Sequence, residues 1–169
     1  MMTRWKPSVT VAAIIARDGR YLLIEEHTPE GLRLNNPAGH LDPGEAPEAG
    51  CAREALEETT HHFTPTDLVG IYMSRFQRPA RADHAAEDIT YLRFAYCGDL
   101  GDAVPGATLD TGIERTLWMT PDEVRANSHR LRSPLVLRCI EDHARGQRFP
   151  MELVYTDPSV SDRLNLSHP

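Results

Sequence analysis

Apolar and β-branched residues crowd two short stretches near the start of the chain, Val9 to Ala16 (VTVAAIIA) and Tyr21 to Glu25 (YLLIE). Between them stand Asp18 and Gly19, a pair that adopts the positive φ angles of a tight turn at little cost, so the opening reads as a β-hairpin. The next stretch, LRLNNPAGHL, reads as a further extended segment ending at Pro37, because a residue ahead of proline avoids the α region. From Pro47 to Thr59 the period becomes helical, with Ala49, Ala52, Ala55, Leu56 and Thr59 on the less polar side. Leu68 to Arg75 and Ile89 to Cys97 read as strands on either side of a polar loop, QRPARADHAAED, where mobility is expected.

Two later helix starts are well marked. Thr120 is placed as an N-cap, with Pro121 at the first helical position and Glu123 at the third. Ser133-Pro134 opens another helix, which puts Leu135, Val136, Cys139, Ile140 and His143 on one side and Gly146 at a left-handed cap. After Pro150 the pattern turns polar and aperiodic. A single domain is expected over residues 1–155, followed by a polar tail, 156–169, whose last dozen residues are expected to be partly disordered. Strands mixed with a few helices point to an α/β or α+β sandwich.

Composition narrows the function. A chain of 169 residues with a formal net charge of -7 is long enough for one sizeable core and poorly suited to a nucleic-acid polymer, whose phosphates are held mainly by Lys and Arg. A single nucleotide is still compatible, since a divalent metal can supply the missing positive charge. Cys51, Cys97 and Cys139 are dispersed and odd in number, which argues for a reducing compartment and against a disulfide framework or cysteine zinc site. The apolar run near the N-terminus is too short to span a membrane and is broken at Arg17 and Asp18, so the protein reads as cytoplasmic.

The unusual chemistry lies in the helix from Pro47. Positions i, i+3 and i+4 share a helix face, so Glu54, Glu57 and Glu58 project together, against a repulsion of a few tenths of a kcal/mol per pair. A bare glutamate-rich face is most often only solvated. Hard cations such as Mg²⁺, however, take oxygen ligands and leave room for substrate phosphate, which would turn the repulsion into a site. His61 and His62, at the end of the helix, read as surface residues favoured by the helix dipole.

The surroundings are more specific. Gly39, Glu45, Arg53, Glu54, Glu57 and Glu58 stand at the spacing of the Nudix box, G-x5-E-x7-R-E-U-x-E-E-x-G-U, and the chain resembles that family. The resemblance implies an α/β/α sandwich with a mixed β-sheet and a loop-helix-loop catalytic motif. It implies Mg²⁺, or Mn²⁺, held by Glu54, Glu57, Glu58 and the carbonyl of Ala38. Arg53 would orient the glutamates, Glu45 would support the loop or hold a metal indirectly, and Gly39 would let the backbone approach metal and phosphate closely; apart from the resemblance, Glu45 reads equally well as an N-terminal helix charge favoured by the dipole. The box departs from the pattern at Ala55, Thr60 and His61. Because a β-branched residue is a poor left-handed cap, the helix is expected to run on past Thr60 or to leave by a different turn.

VTVAAIIARDGRYLLIEE, NNPAGHLDPGE, YLRF, LRSPLV and GQRFP together resemble the NudJ-type branch of bacterial Nudix phosphatases, from about Pro7 to Val154. That resemblance implies hydrolysis of nucleoside di- and triphosphates and of thiamine-type pyrimidine pyrophosphates, with release of orthophosphate. The alternatives are another diphosphate substrate (a sugar nucleotide or dinucleotide) and a catalytically silent nucleotide sensor. The resemblance implies that either a box glutamate or a later carboxylate deprotonates the water; the later candidates are Glu87, Asp88, Asp110 and Glu114, with Glu114 preferred. Asn35, Asn36 and His40 are candidates for lining the substrate pocket, and Phe76, Tyr91 and Phe94 could stack on a ring. The partners implied are small-molecule diphosphates or triphosphates, with no membrane and no nucleic-acid polymer. A monomer and a homodimer both remain open.

Overall fold

The structure, a computed structural model, describes residues 4–80 and 85–161. In chain order the elements begin with β1 (Ser8–Ile14), β2 (Ala16–Arg17), β3 (Arg20–Thr28), β4 (Gly31–Asn35) and β5 (Ala38–His40). Helix α1 (Pro47–Thr59) follows, then β6 (His61–Arg78), β7 (Glu87–Ala103), β8 (Ile113–Met119), α2 (Pro121–Ala126) and α3 (Leu135–Ala144). Four strands form a mixed sheet in the order β5-β1-β7-β6, in which β1 runs parallel to β7 and the other pairs are antiparallel. A second, antiparallel sheet is built on β3, which pairs with β2, β4 and β8.

The apolar opening therefore does not close on itself as one long hairpin. The turn forms where expected, with Asp18 at φ 50° and Gly19 at φ 73°, but only Ala16 and Arg17 pair across it. Beyond Leu22, whose N–H still reaches the Ile15 carbonyl at 2.9 Å, β1 and β3 enter different sheets. Both strands are buried on both faces, and such strands give the same unbroken apolar run as the arms of a buried hairpin. LRLNNPAGHL divides likewise, β4 going to one sheet and β5 to the other around Asn36-Pro37.

The two-sheet core has one cluster on each side of β1. Ala12, Ile14, Leu23, Ala95 and Cys97 pack against Val136, Cys139 and Ile140 of α3. Val11, Ala13, Ile15 and Tyr96 pack against Cys51 and Ala55 of α1. The buried side of α1 is thus centred on Gly50, Cys51 and Ala55, while Ala49 is exposed, a correction to the side expected from the alanines. The later helices follow expectation more closely. Thr120 and Glu123 exchange both bonds of a capping box, and Gly146 takes φ 84° just past α3.

β6 and β7 are longer than expected. They extend into the polar loop, with Gln77 opposite Asp88 and Arg78 opposite Glu87; the rest of the mobility expectation, at residues 81–84, lies outside the described residues. At the C-terminal end, Met151 and Val154 pack on the core and Pro158–Val160 forms a 3₁₀ turn. The remainder of the expected disordered tail, from residue 162, lies outside the described residues. No helix among the described residues is long and apolar enough to cross a membrane.

Helix α1 ends in the conformation judged least suitable from sequence. Thr60 itself is left-handed, at φ 63° and ψ 9°, and its N–H bonds the Leu56 carbonyl at 2.8 Å. The surrounding bonds hold it there. The Thr60 carbonyl accepts from Val104 N–H at 2.8 Å, the Glu57 carbonyl accepts from Asp110 N–H at 2.9 Å, and Thr59 Oγ1 donates to the Ala55 carbonyl at 2.6 Å. A left-handed side chain costs about 1–2 kcal/mol, and glycine would add back about 0.5–1 kcal/mol of unfolded-state entropy. Thr60→Gly is therefore expected to stabilise the protein by about 0.5–1 kcal/mol, seen as a higher denaturation midpoint at unchanged slope.

Candidate active site

A guanidinium organises the glutamate helix. Arg53 Nη2 donates to Glu45 at 2.7 Å and to the His40 carbonyl at 3.0 Å, and its Nε donates to Glu45 at 3.1 Å. Its Nη1 donates to Glu54 at 2.8 Å and to Glu57 at 3.1 Å. One rigid fork thus fixes two carboxylates on α1 and ties them to the incoming loop. These bonds raise the Arg53 pKa further still, with Glu45 the largest contributor.

Glu45 takes the structural part of its expected role. Hydrogen bonds from Arg53 and from the Asp42 N–H, the latter at 2.8 Å, outweigh its burial and hold its carboxyl below the usual range. Gly50, which the sequence reading passed over, belongs to the same unit. A Cβ there would lie 2.7 Å from Glu45 Oε1, so the space is already taken. A glycine inside a helical pattern was the available signal.

Gly39 shows the same logic more sharply. A Cβ at that position would sit 2.1–2.2 Å from all three atoms of the Glu54 carboxylate. The close approach that Gly39 permits is thus, first of all, that of Glu54 onto β5.

Glu58 is held apart from Arg53. It is 8% exposed, and Glu58 Oε2 accepts the Ala38 N–H at 2.8 Å. Burial pushes its carboxyl up to about 8 despite that bond, and the neighbouring charges of Glu54, Glu26 and Asp110 push the same way. Burial likewise raises Glu54 above the usual carboxylate range, against the lowering effect of Arg53.

This donor set suits a hard divalent cation: several carboxylate oxygens on one helix, crowded and partly desolvated, two with raised pKa values. Among the described residues no three acidic, histidine or cysteine side chains stand together as a metal cluster; Arg53 and the Ala38 N–H engage the glutamates.

The remaining candidates divide. Asn35 and Asn36 are buried, 6% and 1% exposed, and neither Oδ1 has a hydrogen-bond partner; Asn35 Nδ2 donates to Glu26 at 3.0 Å. His40 lies on β5 with its ring centroid 6.3 Å from that of Tyr91. Phe76 is exposed at the outer part of β6. Asp88 pairs with Arg75, and Glu87 with Arg78 at 2.9 Å. Glu114 stands on β8, where its Oε2 is 2.9 Å from His27 Nε2, an exposed pair.

Asp110 lies closer to the box. Its N–H bonds the Glu57 carbonyl, its charge acts on Glu58, and it borders a cleft of about 390 Å³ lined by Glu57 and residues 108–111. The structure therefore brings Asp110 to the glutamates and leaves Glu114 engaged with a histidine on another strand.

Known proteins share this arrangement. The NUDIX domain family matches residues 4–139. Phosphatase NudJ of Escherichia coli (strain K12) is 31% identical over 150 residues, 89% of this chain and 92% of that protein. Among solved structures, a NUDIX hydrolase from Nitrosomonas europaea superposes with a TM-score of 0.78 at 45% identity, covering 90% of this chain and 99% of the other. The E. coli ORF135 protein superposes with a TM-score of 0.61 at 21% identity, covering 83% of this chain and 90% of its own, a likeness of fold. With the box glutamates gathered on α1 beside Arg53, and with relatives matching nearly end to end, the chain belongs to the Nudix family of pyrophosphohydrolases.

Proposed function

We propose that this Nudix hydrolase acts on nucleoside di- and triphosphates and related pyrophosphates, thiamine-type pyrimidine pyrophosphates among them, releasing orthophosphate. The observation that carries the reading is the Arg53-centred set of Glu54 and Glu57 with Glu58 bound to Ala38 N–H, together with a relative named as a phosphatase over most of the chain. The protein would act in the cytoplasm on small molecules, as a monomer or homodimer, with Mg²⁺ (or Mn²⁺) as cofactor.

Glu54, Glu57, Glu58 and the Ala38 carbonyl would hold the cation. When bound, it supplies the positive charge that phosphate oxygens and crowded carboxylates require. The chain itself must position the diphosphate and accept one proton from the water that attacks phosphorus in line with the leaving oxygen. Attack on the terminal phosphorus forms one P–O bond and breaks the anhydride P–O bond, the shortened phosphate leaves on the bridging oxygen, and the water proton passes to a carboxylate. Glu114 was the preferred base from sequence. The contacts of Asp110 favour it instead, because a base must stand within hydrogen-bond reach of the water.

Orthophosphate release from a panel of nucleoside di- and triphosphates and thiamine-type pyrophosphates, with and without Mg²⁺, tests the reading. Metal-dependent release is expected, with Asp110→Asn lowering kcat about a hundredfold and Glu114→Gln lowering it less than about threefold. No release from any compound by folded protein with metal present would overturn the phosphatase reading. The reverse ranking of the two variants would return the base to Glu114.

A further inference from the structure

Two of the buried acidic side chains among the described residues are ion-paired. Glu25, 3% exposed, takes ion pairs from Arg115 and Arg130. Asp142, 1% exposed, takes them from Arg138 and Arg145 and accepts the Tyr72 hydroxyl at 3.1 Å. The buried cation Arg93 is not. It is 7% exposed, its Nε and Nη1 have no hydrogen-bond partner, and among the described residues it makes no ion pair; the Cys139 side chain and the charges of Glu26 and Glu58 are its polar neighbours. An unpaired buried guanidinium costs several kcal/mol, and Arg has no neutral form to retreat to near neutral pH.

The sheet register shows where this cation stands. Thr10 of β1 is opposite both His40 of β5 and Arg93 of β7, and Arg93 is opposite Tyr72 of β6. Residues directly opposite share a face, so His40, Thr10, Arg93 and Tyr72 make one polar row across the mixed sheet. The neighbouring row on that face, Ala38, Ala12, Ala95 and Gly70, is small and apolar. Thr10 is 8% exposed and its hydroxyl is also unpartnered. The row lies next to the box, because Ala38, whose N–H holds Glu58, is two residues along β5 from His40. Strand spacing puts the Ala38 and Arg93 Cα atoms about 12 Å apart, within the combined reach of an arginine side chain and a phosphoanhydride.

We propose that Arg93, assisted by the Thr10 hydroxyl, binds an anionic phosphoryl oxygen of the substrate on the β7 side of the site. A carbonyl or ring nitrogen would satisfy a hydrogen bond and leave the charge uncompensated; a phosphoryl oxygen does both. Glu54, Glu57 and Glu58 repel phosphate, and Arg53 is already bound to carboxylates, so the pocket gains from β7 a cation outside any ion pair, with two nitrogens free to donate. This inference rests on the proposed hydrolysis of phosphate anhydrides and names how the same site holds its substrate.

The test is binding of imidodiphosphate, a non-hydrolysable diphosphate, in Mg²⁺ at neutral pH. It is measured by calorimetry on wild type, Arg93→Met, Arg93→Lys and Thr10→Val, alongside their ligand-free Tm values and steady-state kinetics. Arg93→Met is expected to weaken binding at least about tenfold and raise KM more than it lowers kcat. Its ligand-free Tm should be unchanged or higher, since the lost cation had no ion-pair partner and two unsatisfied nitrogens. Arg93→Lys should recover part of the affinity, and Thr10→Val should weaken binding about threefold at constant Tm.

Binding within twofold of wild type in Arg93→Met would overturn the proposal. So would a fall in ligand-free Tm that Arg93→Lys restores without restoring affinity, the signature of a packing role. If Arg93→Met does not fold, the Lys and Thr10 variants decide by the same affinities. Arg93-dependent binding without turnover of any substrate by wild type would leave the anion site standing and remove the proposed activity.

Discussion

Glu58→Gln is expected to make the metal-free protein more stable at pH 8.5 while lowering turnover about a thousandfold. The two effects have one origin. In the folded chain, burial raises the Glu58 carboxyl to about 8, from an ordinary value near 4.5. Between those values the folded state holds a proton that the unfolded state has released, so stability falls as pH rises through the window, by about 1.4 kcal/mol per pH unit at most.

His143 acts in the opposite sense over part of that range. Burial, with the nearby Arg148 charge, lowers it to about 4 from 6.5, so its contribution to stability rises with pH up to about 6.5. From pH 6.5 to 8 the falling contribution of Glu58 stands alone of the two and amounts to about 2 kcal/mol. Thermal unfolding without metal should therefore show a Tm that declines across pH 6.5–8 in wild type and stays flat in Glu58→Gln, whose amide can still accept the Ala38 N–H. Added Mg²⁺ should reverse the decline in wild type, since it binds the ionised carboxylate. The activity loss follows from removing a charge that the cation and the phosphate transition state both require, at the upper end of losses seen for one electrostatic group. A wild-type Tm that does not change over this window would show that Glu58 is ionised without metal.

Gly39→Ala should reduce kcat about a hundredfold with little loss of stability. The added methyl would occupy the place of the Glu54 carboxylate, 2.1–2.2 Å from its atoms. A carboxylate is the far end of a flexible side chain, so the fold accommodates the change by swinging Glu54 away. A displacement of about 1 Å in a reacting assembly costs about a hundredfold in rate. The readout is kcat against a Tm that moves by less than a few degrees. A second substitution, Glu54→Gln, should add little to Gly39→Ala if both act through the same carboxylate.

Much of this was legible in the sequence because the chemistry is local. The bounds of α1, the capping box at Thr120, the left-handed Gly146 and the shared face of Glu54, Glu57 and Glu58 each depend on residues within a few positions of one another. What depended on distant partners was not. β1 and β3 carry apolar runs that fit a hairpin or two central strands equally well, and only pairing with β7 and β8 decides between them. Thr60 is left-handed because Val104 and Asp110, from a loop more than forty residues on, bond the carbonyls around it. Arg93 reads as an ordinary charged position in YLRF, and its buried neighbours, Cys139 on α3 and Glu26 on β3, are distant in sequence. The base candidate moved for the same reason: from sequence, nothing tells that the Asp110 loop folds back onto α1 and the Glu114 strand does not.

The split of the opening segment has a further consequence, for the order of assembly. Ser8 pairs with Tyr91, and Tyr21 with Met119, so the two strands with the longest buried runs are made first and find their main partners late. During synthesis β1 must wait for residues 91–97 and β3 for residues 113–119, with only the two-residue turn ladder and the short strands β5 and β4 to pair with before then. Such long loops close slowly, which places this domain among the slower folders for its size and leaves its stickiest segments open to chaperones, or to one another, in the interval.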